Sequence, residues 1–291
     1  MEMEKSLIGA VITTRNDNYG LTLNERATYC INSSIDTYDV VYLIDWNSDK
    51  DKGPLLWDIK NNINFRGNLK HIVVEPEIAK ILTGNDPNAQ VCCEVLARNI
   101  GIRRLLKECD WIMSTNIDII APKREDIINL LKTLDPKTFY SISRRPAELE
   151  NIRKFNSWKD AREYLYNNSE ERHWDERVTS DDDYSLHNCA GDAQLATKEI
   201  WQEIRGFEED LIYVLYSDTN VQKKAVKHGF GLKALYQPPV FHINHGKGGG
   251  GFLDGINKKV NDMYRAITGQ EKTENEDSWG FSGIEIEYEL L

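Results

Sequence analysis

The stretch WIMSTNIDII, residues 111 to 120, is apolar for three residues, turns polar, carries Asn116 and Asp118 two apart, and closes apolar again. A strand built for a buried sheet has no internal reason to end on an amide and a carboxylate. The segment therefore reads as a strand that delivers polar side chains beyond its carboxyl end. Upstream, SLIGAVITT (6 to 14), DVVYLID (39 to 45) and LKHIVVE (69 to 75) are short apolar, β-rich runs of the same kind. Helical spacing fills the intervals. LNERATYCINSSI (23 to 35) has Thr22 as N-cap with Glu25 as capping-box partner, LLWDIKNNI follows the second strand, and QVCCEVLARNIGIRRLLKEC (90 to 109) puts Val91, Val95, Ile102, Leu105 and Leu106 on one side. Buried strands alternating with helices predict the α/β class, with a mostly parallel central sheet covered by helices on both faces.

The polar residues gather at the strand ends. TTRNDNYG after the first strand carries Thr14, Arg15, Asn16 and Asp17, the second strand ends in Asp45 and Asn47, and the fourth in Asn116 and Asp118. A loop alone explains any one of them, since Asn and Asp are also turn formers. Three such ends together mark a ligand crevice. A hard cation prefers carboxylate oxygen and shares it with substrate phosphates, which makes Asp118 a candidate ligand. His242 and His245 in FHINH form the histidine pair at short spacing; three apart on a straight strand they face opposite sides, so both reach one ion only if the chain turns. The following GKGGGG (246 to 251) permits that turn, lacks the order of a phosphate-cradling loop, and reads as a mobile lid. For a general base the candidates are Asp192 in AGD, Glu208 and Glu209 in GFEED, and Asp218 in YSDTN. The bland readings are a solvated turn at GFEED and a helix N-cap at Asp218. Arg15 and Arg98 carry the fork geometry that suits phosphates.

Composition bounds the function. The chain has 291 residues, 40% of them hydrophobic, enough for a large core, and a formal net charge of -11 speaks against gripping nucleic acid. No apolar run reaches the ~18 to 20 residues of a membrane span, and the N-terminus lacks the order of a signal peptide. A cytoplasmic protein is expected, with peripheral membrane association still compatible. Five cysteines (Cys30, Cys92, Cys93, Cys109, Cys189) show no CxxC spacing, so neither a disulfide framework nor a zinc knot is indicated. After a further strand, KTFYSISRR (137 to 145), an insertion occupies about 146 to 185, helical around 157 to 166.

The order of these pieces resembles the GT-A-fold glycosyltransferases, particularly their family 2-like branch, over roughly residues 6 to 247. The resemblance implies a nucleotide-contacting loop at Thr14, Arg15, Asn16 and Asp17, with Asp45 near the base. ARNIG (97 to 101), which contains Arg98, precedes the DxD strand, and Asp118 falls on the last Asp of that motif, the ligand of a divalent ion. Asn116 replaces the first Asp, where contact with ribose is implied. FHINH resembles the C-terminal metal-ligand segment, which adds His242 and His245. Asp218 falls on the catalytic-base position of inverting members, although Ser217 stands where those members have Glu; Asp192 is the second choice. The implied arrangement is a single domain over 1 to 255, with a nucleotide-binding half to 120 and an acceptor half beyond, followed by a C-terminal helix and acidic tail over 256 to 291. The implied function is transfer of a sugar from a UDP-sugar, or alternatively a GDP-sugar, to a hydroxyl of a glycan or other acceptor, with Mn2+ or Mg2+ and with inversion. Two competing readings are a binding module that kept the fold and lost the chemistry, and a sugar nucleotidyltransferase. The second would place a Gly-rich basic loop after strand one, where TTRNDNYG has its glycine late.

Overall fold

The four apolar runs form strands β1 (Ile8–Thr14), β2 (Val40–Trp46), β3 (Leu69–Val74) and β4 (Trp111–Asn116), paired in parallel in the order β4-β1-β2-β3. The structure is a computed structural model that describes residues 6–169, 191–213, 217–245, 274–283 and 288–291. Parallel neighbours need long crossovers, and helices supply them. They are α1 (Leu23–Thr37), α2 (Leu55–Ile59), and the pair α3 (Pro76–Leu82) and α4 (Glu94–Leu105). Side chains of each strand alternate between two cores: Val11, Ile44, Ile72 and Ile112 pack with α4 and Trp201, while Ile12, Leu43 and Met113 pack with α1 and α2. Burial on both faces explains why these strands are continuous apolar runs. The glycine of ARNIG has a packing role, since a Cβ on Gly101 would stand 2.9 Å from Val11 Cβ.

Beyond β4 the sheet becomes mixed. β7 (Ala193–Thr197) runs antiparallel to both β4 and β6 (Thr138–Ala147), β8 (Gly231–Ile243) runs parallel to β6, and β5 (Ile119–Ile120) runs antiparallel to β8. With β9 (Glu289–Leu290) on the β3 edge, the order is β5-β8-β6-β7-β4-β1-β2-β3-β9. Helices α5 (Arg124–Leu131), α6 (Leu149–Ile152), α7 (Trp158–Asn168), α8 (Lys198–Glu203) and α9 (Ser217–Lys227) complete the described elements. The class is the expected α/β, parallel in the core of its sheet and antiparallel at β5, β7 and β9. Among the described residues no helix is long and apolar enough to cross a membrane.

Several local expectations need correction. The capping box at Thr22 does not form: Thr22 sits at φ 50° with no side-chain cap bond, and only its carbonyl receives Glu25 and Arg26 N–H groups. The helix expected over 90 to 109 is confined to Glu94–Leu105, and Val91 is 42% exposed. Its carbonyl accepts a bond of 2.8 Å from Asn47 Nδ2, so the segment before α4 serves the loop after β2. AGDAQLATKEIW, read only as an acceptor-side segment, is largely strand β7 and the start of α8, a stretch too short to declare its period. The GKGGGG run, the insertion from residue 170 to its expected end near 185, Cys189, and the helix expected after 256 lie outside the described residues. Residues 274–283 and 288–291 of the expected tail pack on the same domain, through Trp279 in the α4 core and β9 on β3.

Candidate functional site

Strand pairing assembles the first cluster. β5 follows β4 directly and pairs Ile119 with His242, while Ile243 N donates to the Asp118 carbonyl at 2.9 Å. The chain leaves β8 after Ile243, and Asn244 N bonds the Ala147 carbonyl at 2.8 Å, so His245 returns to the same side as His242. His245 Nε2 lies 3.0 Å and His242 Nε2 3.8 Å from Asp118 Oδ2, with the two imidazole rings 5.4 Å apart. One ligand atom from each of the three residues lies within 4.8 Å of the others. Asp118 is buried, and its Oδ1 has no hydrogen-bond partner among the described residues. Burial alone would raise its proton affinity. The His245 hydrogen bond and the electrostatic pull of His242 and Arg26 outweigh that, and hold the carboxyl below its ordinary range. An ionised, buried, unpartnered oxygen beside two imidazole nitrogens fits a divalent cation, and the mixed oxygen and nitrogen set suits Mn2+ better than Mg2+.

A second cluster lies one residue pair back along β4. Asn116 Nδ2 donates to Asp192 Oδ1 at 2.7 Å, and its Oδ1 accepts from Arg98. Arg98 is itself buried, with Nη1 on Ser114 Oγ at 2.6 Å and Nη2 on Glu94 at 3.1 Å, so its fork orients the Asn116 amide. Arg144, half-exposed on β6, pairs with the other oxygen of Asp192. Asp218 opens α9 against Gly191, where any Cβ would collide with its Cβ and stand 3.0 Å from its Oδ2. Burial raises the Asp218 proton affinity, the Thr219 N–H opposes that, and the negative charge of Asp192 adds to it. Two carboxylates thus share a corner with unequal environments: Asp192 is paired to a cation, and Asp218 is desolvated.

The third group is the pair of loops after β1 and β2. Thr14 faces Asp45 in register, and its buried hydroxyl has no partner among the described residues. Arg15 donates from Nε to the Asn47 carbonyl at 2.8 Å and pairs with Asp17 and Asp49. Asn16 is buried, bonding Gly53 O at 3.1 Å and Asp58 at 2.9 Å, and its N–H donates to Ser48 Oγ at 2.7 Å. Asp45 is fully buried, accepting from Ser48 Oγ and from Leu55 N at 2.6 Å; desolvation lifts its carboxyl to about 6. Arg15, Asn16 and Asp45 thereby zip the two loops together. Thr14 is buried next to Asp45, and Asp17 is half-buried.

Several residues of this region went unread in the sequence. Arg26 contacts Asp118 at 3.1 Å, Tyr19 lays its edge on the His245 ring with centroids 4.9 Å apart, and Gly191 and Arg144 frame the second cluster. Arg26 did carry a signal: a charge at helical spacing with Leu23, Ala27 and Cys30, all buried on α1. Arg144 and Gly191 carried none, because their importance comes from long-range neighbours.

No protein-family model matches the chain, and no curated protein matches it in sequence. Solved structures do. GalNAc-T7, determined with UDP, GalNAc and Mn2+, superposes with a TM-score of 0.57 at 13% identity, covering 91% of this chain and 48% of that one. Residues 1-349 of TarS from S. aureus, determined with UDP, give a TM-score of 0.51 at 11% identity, covering 82% and 60%. This chain therefore spans about half the length of the structures it matches. Both are GT-A-type glycosyltransferases, and the fold of this chain is GT-A.

Proposed function

We propose that this GT-A-fold chain is a metal-dependent glycosyltransferase that moves a sugar from a nucleoside-diphosphate sugar, UDP-linked in preference to GDP-linked, to a hydroxyl of a carbohydrate or glycoconjugate acceptor. The observation that carries the reading is the Asp118, His242 and His245 cluster with its unpartnered carboxylate oxygen, beyond the carboxyl end of β4 where an open α/β sheet binds ligands. The two matched structures, determined with UDP and one also with Mn2+, support it.

Asp118, His242 and His245 would hold Mn2+ or Mg2+, which supplies Lewis-acid neutralisation of the charge that builds on the departing diphosphate. Thr14 and Asp17 would border the nucleotide, Asp45 and Asn16 shape the loops that would receive it, and Arg15, which joins those loops through Asn47 and Asp49, would assist its phosphates. Asn116, oriented by Arg98, is the hydrogen-bonding group for ribose or sugar hydroxyls. Asp218 is the general base: its raised proton affinity brings it closer to working pH than an ordinary carboxylate. It removes the proton of the attacking hydroxyl, and displacement on the face opposite the leaving group inverts the anomeric centre. Asp192, held by Asn116 and Arg144, orients the sugar and is the second candidate for the base.

The test is calorimetry and nucleotide release on the purified protein with UDP- and GDP-sugars and Mn2+. Donor binding should need the metal and disappear in Asp118→Ala. Equal affinity in that variant would remove the metal assignment, and binding without any turnover across acceptors would favour the non-catalytic binding module.

A further inference from the structure

Arg26 is out of place for a helix side chain on an apolar face. It is fully buried, its Nη1 lies 3.1 Å from Asp118 Oδ2, and that same oxygen accepts from His245 Nε2 at 3.0 Å. Its Nη2 donates to the carbonyls of Tyr19 and of Leu21, the latter at 3.3 Å. Guanidinium keeps its proton at any physiological pH, so this charge is permanent. A cation is ligated only by neutral imidazoles, and in that form the cluster of one carboxylate and one guanidinium carries no net charge. A divalent cation held by Asp118 would then stand a few ångströms from a fixed positive group in a buried setting, where like charges are poorly screened.

The same guanidinium fastens the loop between β1 and α1. Asn18, Gly20, Leu21 and Thr22 all have left-handed backbone, φ 58°, 67°, 59° and 50°. For the three that are not glycine this backbone is strained, and it persists only where surroundings enforce it. The hydrogen bonds from Arg26 do that enforcing, and they press Gly20 so close to His245 that a Cβ there would stand 2.6 Å from Nδ1. Loop and cation cluster thus share one anchor.

Building on the metal reading above, we propose that Arg26 is a positioning residue that keeps the cluster electrically neutral, so that the cation is taken up only together with a diphosphate, whose negative charge replaces what Arg26 cancels. Cation and diphosphate then raise each other's affinity by the same factor, as linkage requires.

The test uses the full chain, with Mn2+ affinity read by electron paramagnetic resonance and calorimetry, alone and with UDP, GDP or inorganic pyrophosphate. In the native protein Mn2+ alone should bind weakly, and a diphosphate should tighten it at least ~10-fold, about 1.4 kcal/mol. Pyrophosphate should act in the same direction as the nucleotides, since charge is the cause. Arg26→Gln should bind Mn2+ alone ~10-fold more tightly than the native protein and show a smaller gain from diphosphate. Arg26→Lys, which keeps the charge, should stay near native for Mn2+ alone and lose nucleotide affinity as the loop loosens. Thermal melts show whether each variant is folded; if Arg26→Gln is not, the native coupling and Arg26→Lys still decide. Equal Mn2+ affinity with and without diphosphate overturns the proposal, as does a folded Arg26→Gln with unchanged affinity. If Mn2+ binding is abolished by Asp118→Ala yet indifferent to Arg26, this inference alone fails. If Mn2+ binds under no condition, the metal reading fails and takes this inference with it.

Discussion

At the residue scale, the contact between Gly191 and Asp218 gives a test of the proposed base. Replacing Gly191 by Ala puts a Cβ against the Asp218 Cβ, closer than side chains pack, so Asp218 or the backbone must shift. A displaced base costs about 10²-fold in turnover for a shift near 1 Å. Gly191→Ala should therefore lower kcat by about that factor while UDP affinity with Mn2+ stays native; a native kcat would remove Asp218 from the reaction. The pH profile gives an independent reading. A base acts when deprotonated, and the Asp218 proton affinity is raised by burial and by the charge of Asp192, so the acid limb of kcat/KM should lie above the ordinary Asp range of ~4. Removing the like charge in Asp192→Asn lowers that affinity, and whatever activity is left should show its acid limb moved to lower pH. A limb that stays in place would detach Asp218 from the titration.

The GFEED turn is the instructive element. In the sequence its acids read as base candidates or as a solvated turn, yet Glu208 is buried and Glu209 accepts from Asn99 Nδ2 at 3.0 Å and from Gly280 N at 2.8 Å. Asn99 of ARNIG also grips the Phe207 backbone from both sides, at 2.8 Å to its carbonyl and 2.8 Å from its N–H. Asn220 and Lys224 of α9 reach the same turn, through Glu208 at 3.1 Å and the Gly206 carbonyl at 3.0 Å. Burial pushes the Lys224 ammonium down to about 8, against the pull of both glutamates. The turn therefore joins α4, α9 and residues 274–283, and positions the helix that carries Asp218. Asn99→Ala leaves the buried Phe207 N–H without an acceptor, worth ~1 to 3 kcal/mol, while the Phe207 carbonyl keeps the bond from Asn275 Nδ2 at 2.5 Å. Urea unfolding should show a loss of about 2 kcal/mol; a loss below ~1 kcal/mol would mean that the turn holds without its amide clamp.

For the whole molecule, His71 makes a global test of burial. It lies on β3 within the sheet, 3% exposed, its Nε2 without a partner among the described residues, and desolvation lowers its pKa to about 4. The unfolded chain binds a proton near pH 6.5 while the folded one stays neutral, so the folded state is disfavoured as pH falls from about 6.5 to 4. That window carries about 3 kcal/mol from this one residue, and His71→Gln should flatten this part of the curve of unfolding free energy against pH. An unchanged slope in the variant would show that His71 gains a proton in the folded state without cost. The net charge of -11 adds nothing to this trend in sign, since lowering pH relieves rather than increases the repulsion of an acidic chain.

Local pattern was enough for the α/β class and the four parallel strands, and it marked the polar strand ends, because strands buried on both faces must be continuously apolar and a strand end turns polar where it stops. Asp118 stood out for the same reason. Three things escaped it: β7, the cluster partners of Asp192, and the buried GFEED hub. Each depends on residues far apart in sequence, as in the Arg144–Asp192, Asn116–Asp192 and Asn99–Glu209 contacts, separated by 48, 76 and 110 positions, that meet only after the sheet has formed. Arg26 lies between the two cases. The chain advertised a charge on the apolar face of α1, but only the folded structure brought it to the carboxylate 92 residues away that makes it matter.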